Sequence, residues 1–113
     1  MQALPINVLE RYWNHTAFRP LQEDIINSIL QNNDVLAILP TGGGKSICYQ
    51  IPALILEGVC IVISPLIALM EDQVQQLKTK GIKAEASSEE TYKIDINRNL
   101  DNANYGHTKL LYI

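Results

Sequence analysis

The sequence predicts an α/β fold in which helices flank a parallel β-sheet. Two short runs, 35–39 and 59–63, are apolar throughout, which is typical of strands that are buried on both faces of a sheet. Segments with apolar residues at helical spacing alternate with these runs, and the turns between them are short. A glycine run at 42–44 separates the first apolar run from the next helical segment.

Two helices are predicted before the alternation begins, at Leu4–Trp13 and Leu21–Gln31. In the second segment the apolar residues recur on one helix face. Pro20 stands at its entry and two asparagines, 32–33, stand at its exit, as expected for helix boundaries.

The alternation itself starts at Val35–Leu39, a predicted buried strand. A helix from Lys45 to about residue 57 follows the glycines, and Gly58 ends it. The second predicted strand is Val59–Ile63, which is apolar on both faces and therefore resembles a central strand.

The second half of the chain continues the same alternation. An amphipathic helix begins near Leu66 and ends at Gly81, and the segments after it read as a weaker strand at Ile82–Ala86, a polar helix at Ser88–Asn104 and a last strand at Lys109–Ile113. No helix follows the last strand, whereas a parallel sheet needs both of its faces covered. We therefore expect the sequence to be part of a longer protein.

Composition excludes several classes of protein. With 113 residues the chain can form one domain, and 47% hydrophobic with 19% charged residues argues against disorder. The apolar stretches are too short to cross a membrane, and the N-terminus lacks the pattern of a secretory signal.

Cys48 and Cys60 lie in apolar segments without metal-ligand spacing, which predicts reduced, buried thiols in a cytoplasmic protein. A net charge of −3 argues against binding nucleic acid by bulk charge, so such contacts must rest on particular residues.

The strongest chemical signal is the segment 39–46, Leu-Pro-Thr-Gly-Gly-Gly-Lys-Ser, between a predicted strand and a predicted helix. Glycines in this position let the backbone curl so that successive N–H groups face phosphate oxygens. Lys45 would place its charge on the β- and γ-phosphates, and Ser46 would offer its hydroxyl to Mg²⁺. The residues that would hold the phosphates and the ion are Thr41, Gly42, Gly43, Gly44, Lys45 and Ser46. The alternative is a flexible glycine turn followed by chance by Lys-Ser.

One departure from the general phosphate-loop pattern is informative, because Leu39 occupies the position of that pattern's first glycine. A loop of this kind resembles that of the superfamily 2 helicases. Two further segments, Tyr12–Gln22 and Ile63–Val74, are similar to motifs of the RecQ family of DNA helicases. Segments 48–53 and 110–113 also fit that family, so the resemblance spans nearly the whole chain.

The resemblance implies an N-terminal part of a RecQ-family helicase, with helices and an adenine-recognition motif at 1–33 and the first part of a RecA-like lobe at 34–113. It further implies ATP and Mg²⁺ as cofactors, and single-stranded DNA or single-strand/duplex junctions as the partner. The implied activity is 3′→5′ unwinding of DNA in bacterial recombination and repair, and no membrane is expected as a partner. Asn14 stands where the family usually has glycine, and asparagine can adopt the left-handed backbone that such a turn needs.

The adenine-recognition residues that the resemblance implies are Phe18, Arg19 and Gln22. The Gln22 amide can donate and accept, so that it could pair with the N6 and N7 edge of adenine, although a solvated helix residue is the alternative. Arg19 could stack near the base, brace the loop or lie on the surface. Phe18, with Tyr12 and Trp13, could pack on adenine or belong to the core.

The DNA contacts that the resemblance implies are Ser64, Pro65 and Gln73. Ser64 and Pro65 follow a predicted strand on its carboxyl side, where α/β sheets place their ligands. The Ser64 hydroxyl could donate to a DNA phosphate near a helix N-terminus. An ordinary helix cap for Ser64 and a solvated helix face for Gln73 are the alternatives.

Lys45 and Ser46 are the candidate catalytic residues, with Ser46 as the Mg²⁺ ligand. Hydrolysis also needs an acidic residue at a strand end. The family carries it as a DEAH-type box, and no such sequence occurs among these 113 residues. We therefore expect an ATP-dependent DNA helicase as the parent and an inactive isolated piece. A different P-loop enzyme, such as a nucleotide kinase, and a non-enzymatic nucleotide-binding module are the alternatives.

Overall fold

A computed structural model of the chain describes residues 3–39, 44–86 and 108–113. Contacts divide the chain into two compact units, Met1–Glu57 and Gly58–Ile113. The helices and strands in chain order are α1 (Pro5–Trp13), α2 (Gln22–Leu30), α3 (Lys45–Ile55), β1 (Cys60–Val62), α4 (Ile67–Thr79), β2 (Ala84–Ala86) and β3 (Leu110–Tyr112).

The first unit contains the three helices α1, α2 and α3, each of which the sequence predicted. Pro5 occupies the first turn of α1, where its missing N–H costs nothing. At the other end of α1, Asn14 adopts the left-handed conformation, with φ 56° and ψ 30°, and its N–H donates to the Glu10 carbonyl oxygen at 3.3 Å. The expectation that Asn14 can adopt a left-handed backbone is thereby confirmed.

A small apolar core holds these helices together. Its buried members are Val8, Leu9, Ile26 and Ile51. Tyr12, Trp13 and Phe18 are among the half-buried residues that pack against it. Each fully buried aliphatic side chain contributes about 1.5–3 kcal/mol of transfer free energy, so α1, α2 and α3 depend on one another for stability.

The predicted buried strand at Val35–Leu39 is wrong for this structure. No strand is assigned there, and Leu36 and Ile38 are 91% and 86% exposed. Extended backbone becomes a strand only where a neighbouring strand accepts and donates its hydrogen bonds. The described residues of the first unit form helices alone, so within that unit this apolar run has no strand to pair with.

The second unit contains a three-stranded parallel sheet with the order β1-β3-β2. Cys60 pairs with Leu110 and Ala84 pairs with the same residue from the other side. All three residues of β3 are buried, whereas Ile63, just after β1, is 84% exposed. The sequence therefore predicted the β1 segment correctly as a strand. Among the three described strands it lies at an edge and not at the predicted central place, because an apolar run carries no information on strand order.

Helix α4 lies between β1 and β2 along the chain and buries Met70, Val74 and Leu77 on one face. Gly81, with φ +83°, leads from this helix toward β2. Parallel strands with a helix between them confirm the predicted α/β class. The predicted helix at Ser88–Asn104 lies outside the described residues, and the division at residues 33 and 34 stays a prediction.

None of the helices in the described ranges combines the length and the apolar character that crossing a membrane requires.

Candidate functional site

Gln22, the first residue of α2, is 2% exposed and uses both ends of its amide inside the chain. Its Oε1 accepts a hydrogen bond from the Arg19 backbone N–H at 2.8 Å. Its Nε2 donates to the Gly44 carbonyl oxygen at 3.0 Å. The side chain predicted to read adenine thus connects the turn before α2 to the end of the phosphate loop.

The turn that places Gln22 is a type II β-turn. The Gln22 N–H donates to the Arg19 carbonyl oxygen at 3.2 Å, which closes the four-residue turn. Pro20 supplies the φ that the second position requires. Leu21 occupies the third position with φ 73° and ψ −19°, where glycine is usual, because a Cβ is strained at positive φ.

Gly44 is the helix cap that precedes α3, and glycine is required there for two reasons. Its φ of +76° lies in the left-handed region that disfavours a side chain. A Cβ on Gly44 would also overlap Nε2 of Gln22. The close approach of this amide to the backbone therefore depends on the third glycine of the loop.

The start of α3 has the electrostatics of an anion site. No acidic residue lies in its first turn, so the positive end of the helix dipole is not neutralised locally. Lys45 is exposed and Ser46 is half-buried at the first two positions of this helix. The remaining predicted phosphate ligands, Thr41, Gly42 and Gly43, lie outside the described residues.

The other two predicted adenine residues differ in their surroundings. Phe18 packs against the apolar core of the first unit. Arg19 is exposed, and its Cδ lies 3.8 Å from the position that a Cβ on Gly44 would take. The structure thus brings Arg19, Gln22 and Gly44 together, while the half-buried Phe18 packs against the core.

The Ser64 turn lies at the carboxyl end of the sheet in the second unit. The Ser64 N–H donates to the Ile113 carbonyl oxygen at 3.3 Å, and the Ile113 N–H donates to the Val62 carbonyl oxygen at 2.9 Å. The Ser64 Oγ accepts a hydrogen bond from the Leu66 N–H at 3.3 Å. Ser64 therefore orders the entry to α4, while Pro65 is exposed beside it.

Gln73, the third predicted DNA contact, lies on α4 and is half-buried, so the alternative of a fully solvated side chain does not hold. Its Oε1 accepts a hydrogen bond from the Tyr112 hydroxyl at 2.8 Å. Tyr112 in β3 is 1% exposed. The sequence analysis did not single out Tyr112, and the available signal was a hydroxyl-bearing residue within an otherwise aliphatic strand.

Cys48 is buried as predicted, whereas Cys60 is half-buried, so the prediction of a buried thiol is wrong for Cys60. Burial raises the pKa of the Cys48 thiol and that of the Cys60 thiol, because desolvation disfavours the thiolate. Cys48 Sγ also donates weakly to the Gly44 carbonyl oxygen at 3.8 Å. Within residues 3–39, 44–86 and 108–113, no three His, Cys, Asp or Glu side chains are grouped as a metal centre requires.

A cavity of about 410 Å³ lies at the amino ends of β2 and β3. Its lining residues are Lys78, Gly81, Ile82, Lys83, Ala84, Glu85 and Thr108. None of the predicted site residues belongs to this lining. Since α/β sheets bind their ligands at the carboxyl ends of the strands, this cavity is a separate feature from the Ser64 turn.

Comparison with known proteins agrees with the motifs. The sequence profile of the DEAD/DEAH box helicase family matches residues 19–112. A probable ATP-dependent DNA helicase RecS of Bacillus subtilis is 53% identical over 79 residues, which is 70% of this chain and 16% of that protein. The ATP-dependent DNA helicases RecQ of Synechocystis and Haemophilus influenzae are 43% and 50% identical over 93% and 71% of this chain.

The chain spans 16%, 22% and 13% of the lengths of these three relatives, so it corresponds to a minor part of each of them. The profile match covers more than half of the chain and both of its compact units. This chain therefore belongs to the DEAD/DEAH box helicase family, in the RecQ branch of that family.

Proposed function

We propose that this chain provides the ATP-binding segment and part of the DNA-contacting surface of an ATP-dependent DNA helicase. The observation that carries the proposal is the pair of hydrogen bonds from Gln22 to Arg19 and to Gly44. They join the segment that resembles an adenine-recognition motif to the loop that resembles a phosphate site. A nucleoside triphosphate has a base to match the first segment and a phosphate chain to match the loop.

Adenine recognition is assigned to Gln22 with Phe18 and Arg19 beside it. An amide Nε2 carries two hydrogens and Oε1 carries two lone pairs, and the contacts with Gly44 and Arg19 use one of each. Within the part of the chain that the structure describes, one donor and one acceptor of the amide remain, and they match the N7 and N6 positions of adenine. Guanine presents O6 in place of N6, so this amide would favour ATP over GTP.

The phosphates and Mg²⁺ are assigned to the loop and the start of α3. The positive helix end without a neighbouring carboxylate suits an anion, and Lys45 adds a full charge. Thr41, Gly42, Gly43 and Gly44 would supply backbone N–H groups, and the Ser46 hydroxyl would ligate Mg²⁺. Bound ATP with Mg²⁺ supplies the phosphoanhydride bond whose cleavage drives unwinding.

DNA contact is assigned to the Ser64 turn and α4. Ser64 and Pro65 stand at the carboxyl end of β1, next to the N-terminus of a 13-residue helix. Such a helix end favours a DNA phosphate, and Gln73 belongs to the same helix. The net charge of −3 means that these few polar groups, rather than a broad basic surface, would hold the strand.

For the whole protein we propose 3′→5′ unwinding of single-strand/duplex junctions in recombination and repair, at the nucleoid of a bacterial cell. The support is the similarity to bacterial relatives named RecQ. The 113 residues on their own are proposed to hydrolyse no ATP, since they contain no DEAH-type box. DNA-stimulated ATP turnover by the isolated 113-residue chain would contradict that part of the proposal.

The test of nucleotide recognition compares Gln22→Ala with wild type in the full-length protein that carries this sequence. We expect a higher KM for ATP and a smaller preference for ATP over GTP, measured as the ratio of kcat/KM. Gln31→Ala is the matched control, because Gln31 is an exposed glutamine at the other end of α2. An unchanged ATP/GTP ratio in Gln22→Ala would contradict the assignment to adenine.

A further inference from the structure

The Tyr112 hydroxyl and the Gln73 amide form a hydrogen bond between elements that are 39 residues apart in the chain. Tyr112 is in β3, the central strand, and Gln73 is two turns into α4. The oxygen-to-oxygen distance of 2.8 Å is that of a well-formed bond. Because Tyr112 is 1% exposed, water competes little for its hydroxyl.

This bond can set the rotation of α4 about its own axis. The other buried contacts of the helix come from Met70, Val74 and Leu77, which are apolar. Apolar burial has no preferred direction, so these contacts hold the helix against its neighbours without strictly fixing its angle. A hydrogen bond weakens steeply as its angle departs from linear, and Gln73 lies at the border of this apolar face.

The same end of β3 also holds the turn from which α4 begins. Ile113 follows Tyr112 directly, and it exchanges backbone hydrogen bonds with Val62 and Ser64. The Ser64 hydroxyl in turn accepts the N–H of Leu66, the residue before α4. The carboxyl end of β3 is therefore bonded to α4 at two places, the turn before its start and the residue two turns further on.

We propose that Tyr112 is a positioning residue for DNA binding. By donating to Gln73 it holds α4 in the rotation that presents the Ser64 turn and the first N–H groups of the helix to one DNA phosphate. Tyr112 itself is buried and touches no DNA. This inference rests on the proposed function, since it specifies how the assigned DNA contact is kept in place.

The experiment uses the full-length protein that carries this sequence, with the variants Tyr112→Phe, Gln73→Leu and the double variant. The probe is a fluorescein-labelled oligothymidine, with the Kd from anisotropy and the DNA concentration for half-maximal ATPase as readouts. Each single variant should raise the Kd and the half-maximal DNA concentration about 2- to 10-fold, which is the range expected for the loss of one hydrogen bond. The KM for ATP should not change.

The double variant should bind DNA as weakly as either single variant, because both remove the same interaction. Gln75→Leu is the matched control, since Gln75 is an exposed glutamine of the same helix, and it should bind as wild type does. Thermal unfolding of all variants shows that they remain folded at the assay temperature. Phenylalanine keeps the buried ring, which makes Tyr112→Phe the mildest removal of the bond.

Four outcomes would overturn the inference. In one, Tyr112→Phe binds DNA as wild type does. In the second, the double variant loses as much DNA-binding free energy as the two single variants added together. In the third, the KM for ATP rises as much as the Kd for DNA. In the fourth, Gln75→Leu binds DNA as weakly as the two single variants do. Failure of the wild-type protein to bind the oligothymidine would instead remove the proposed DNA contact itself, and the inference with it.

Discussion

Gln22 and Gly44 are joined by a hydrogen bond of 3.0 Å from Nε2 to the backbone carbonyl oxygen, although 22 residues separate them in the chain. The bond ends at the residue that caps α3, which is also the last glycine of the proposed phosphate loop. Gly44 has no side chain, and that space is what Nε2 occupies. Two motifs that are separate in the sequence are thus one structural unit.

The first prediction concerns Gly44→Ala, which should destabilise the protein more than a strained backbone alone would. The positive φ costs about 1–2 kcal/mol for an L side chain, and the overlap with Gln22 adds to it. Gly58→Ala is the matched control, because Gly58 has φ +94° but open space where its Cβ would lie. Equal losses in the free energy of unfolding, measured with urea, would show that the overlap has no effect.

The second prediction concerns Gln22→Glu, which keeps an acceptor for the Arg19 N–H but loses the donor to Gly44. A carboxylate oxygen would then face the Gly44 carbonyl oxygen, and we expect a loss of about 1–3 kcal/mol at neutral pH. Protonation of the new carboxyl group restores a donor, so the loss should shrink as the pH falls toward about 5. The urea midpoint relative to wild type, at both pH values, measures this. A loss that does not depend on pH would be evidence against the donor role, and Gln31→Glu controls for the added charge.

The third prediction concerns Leu21, whose φ of 73° is strained. Leu21→Gly should leave stability within about 1 kcal/mol of wild type, because relief of the strain offsets the greater flexibility of glycine in the unfolded chain. Leu21→Val should be clearly worse than Leu21→Gly, since a β-branched residue is disfavoured at positive φ. Unfolding midpoints of the two variants would give this order, and the reverse order would refute the type II turn at Arg19–Gln22.

The fourth prediction concerns the reactivity of Cys48 and Cys60. Since burial raises both pKa values, little thiolate is present near neutral pH, and reaction with Ellman's reagent should be slow. The same two thiols in urea should react at once, which gives an internal control. Native thiols that react as fast as the unfolded ones would contradict the burial of Cys48 and the partial burial of Cys60.

The sign of the pH effect on stability follows from the same pKa shifts. The folded state holds these thiol protons above the pH at which the unfolded chain releases them. The contribution of the two thiols to stability is therefore complete at neutral pH and falls as the pH rises through the alkaline range. Urea unfolding of the Cys60→Ser variant against wild type across that range measures the share of Cys60.

Prediction from sequence succeeded where local patterns carry the information. Helices α1, α2 and α3 follow from local patterns of apolar residues and from boundary residues, which are proline and asparagine for α1 and α2 and glycine for α3. It failed at 35–39, where the apolar run is exposed, and at β1, which lies at an edge of the three strands that the structure describes. Strand pairing joins distant segments, so neither the partner nor the order can be read from one run.

The sequence by itself determined the α/β class and the RecQ resemblance, and it singled out Gln22, Lys45, Ser46 and Ser64, because each depends on residue types at short spacing. Only the tertiary structure decided that Gln22 bonds to Gly44 and that Gln73 bonds to Tyr112. Those contacts join residues 22 and 39 positions apart. Folding brings such residues within 3 Å only after helices and strands have packed, and no local pattern records that distance.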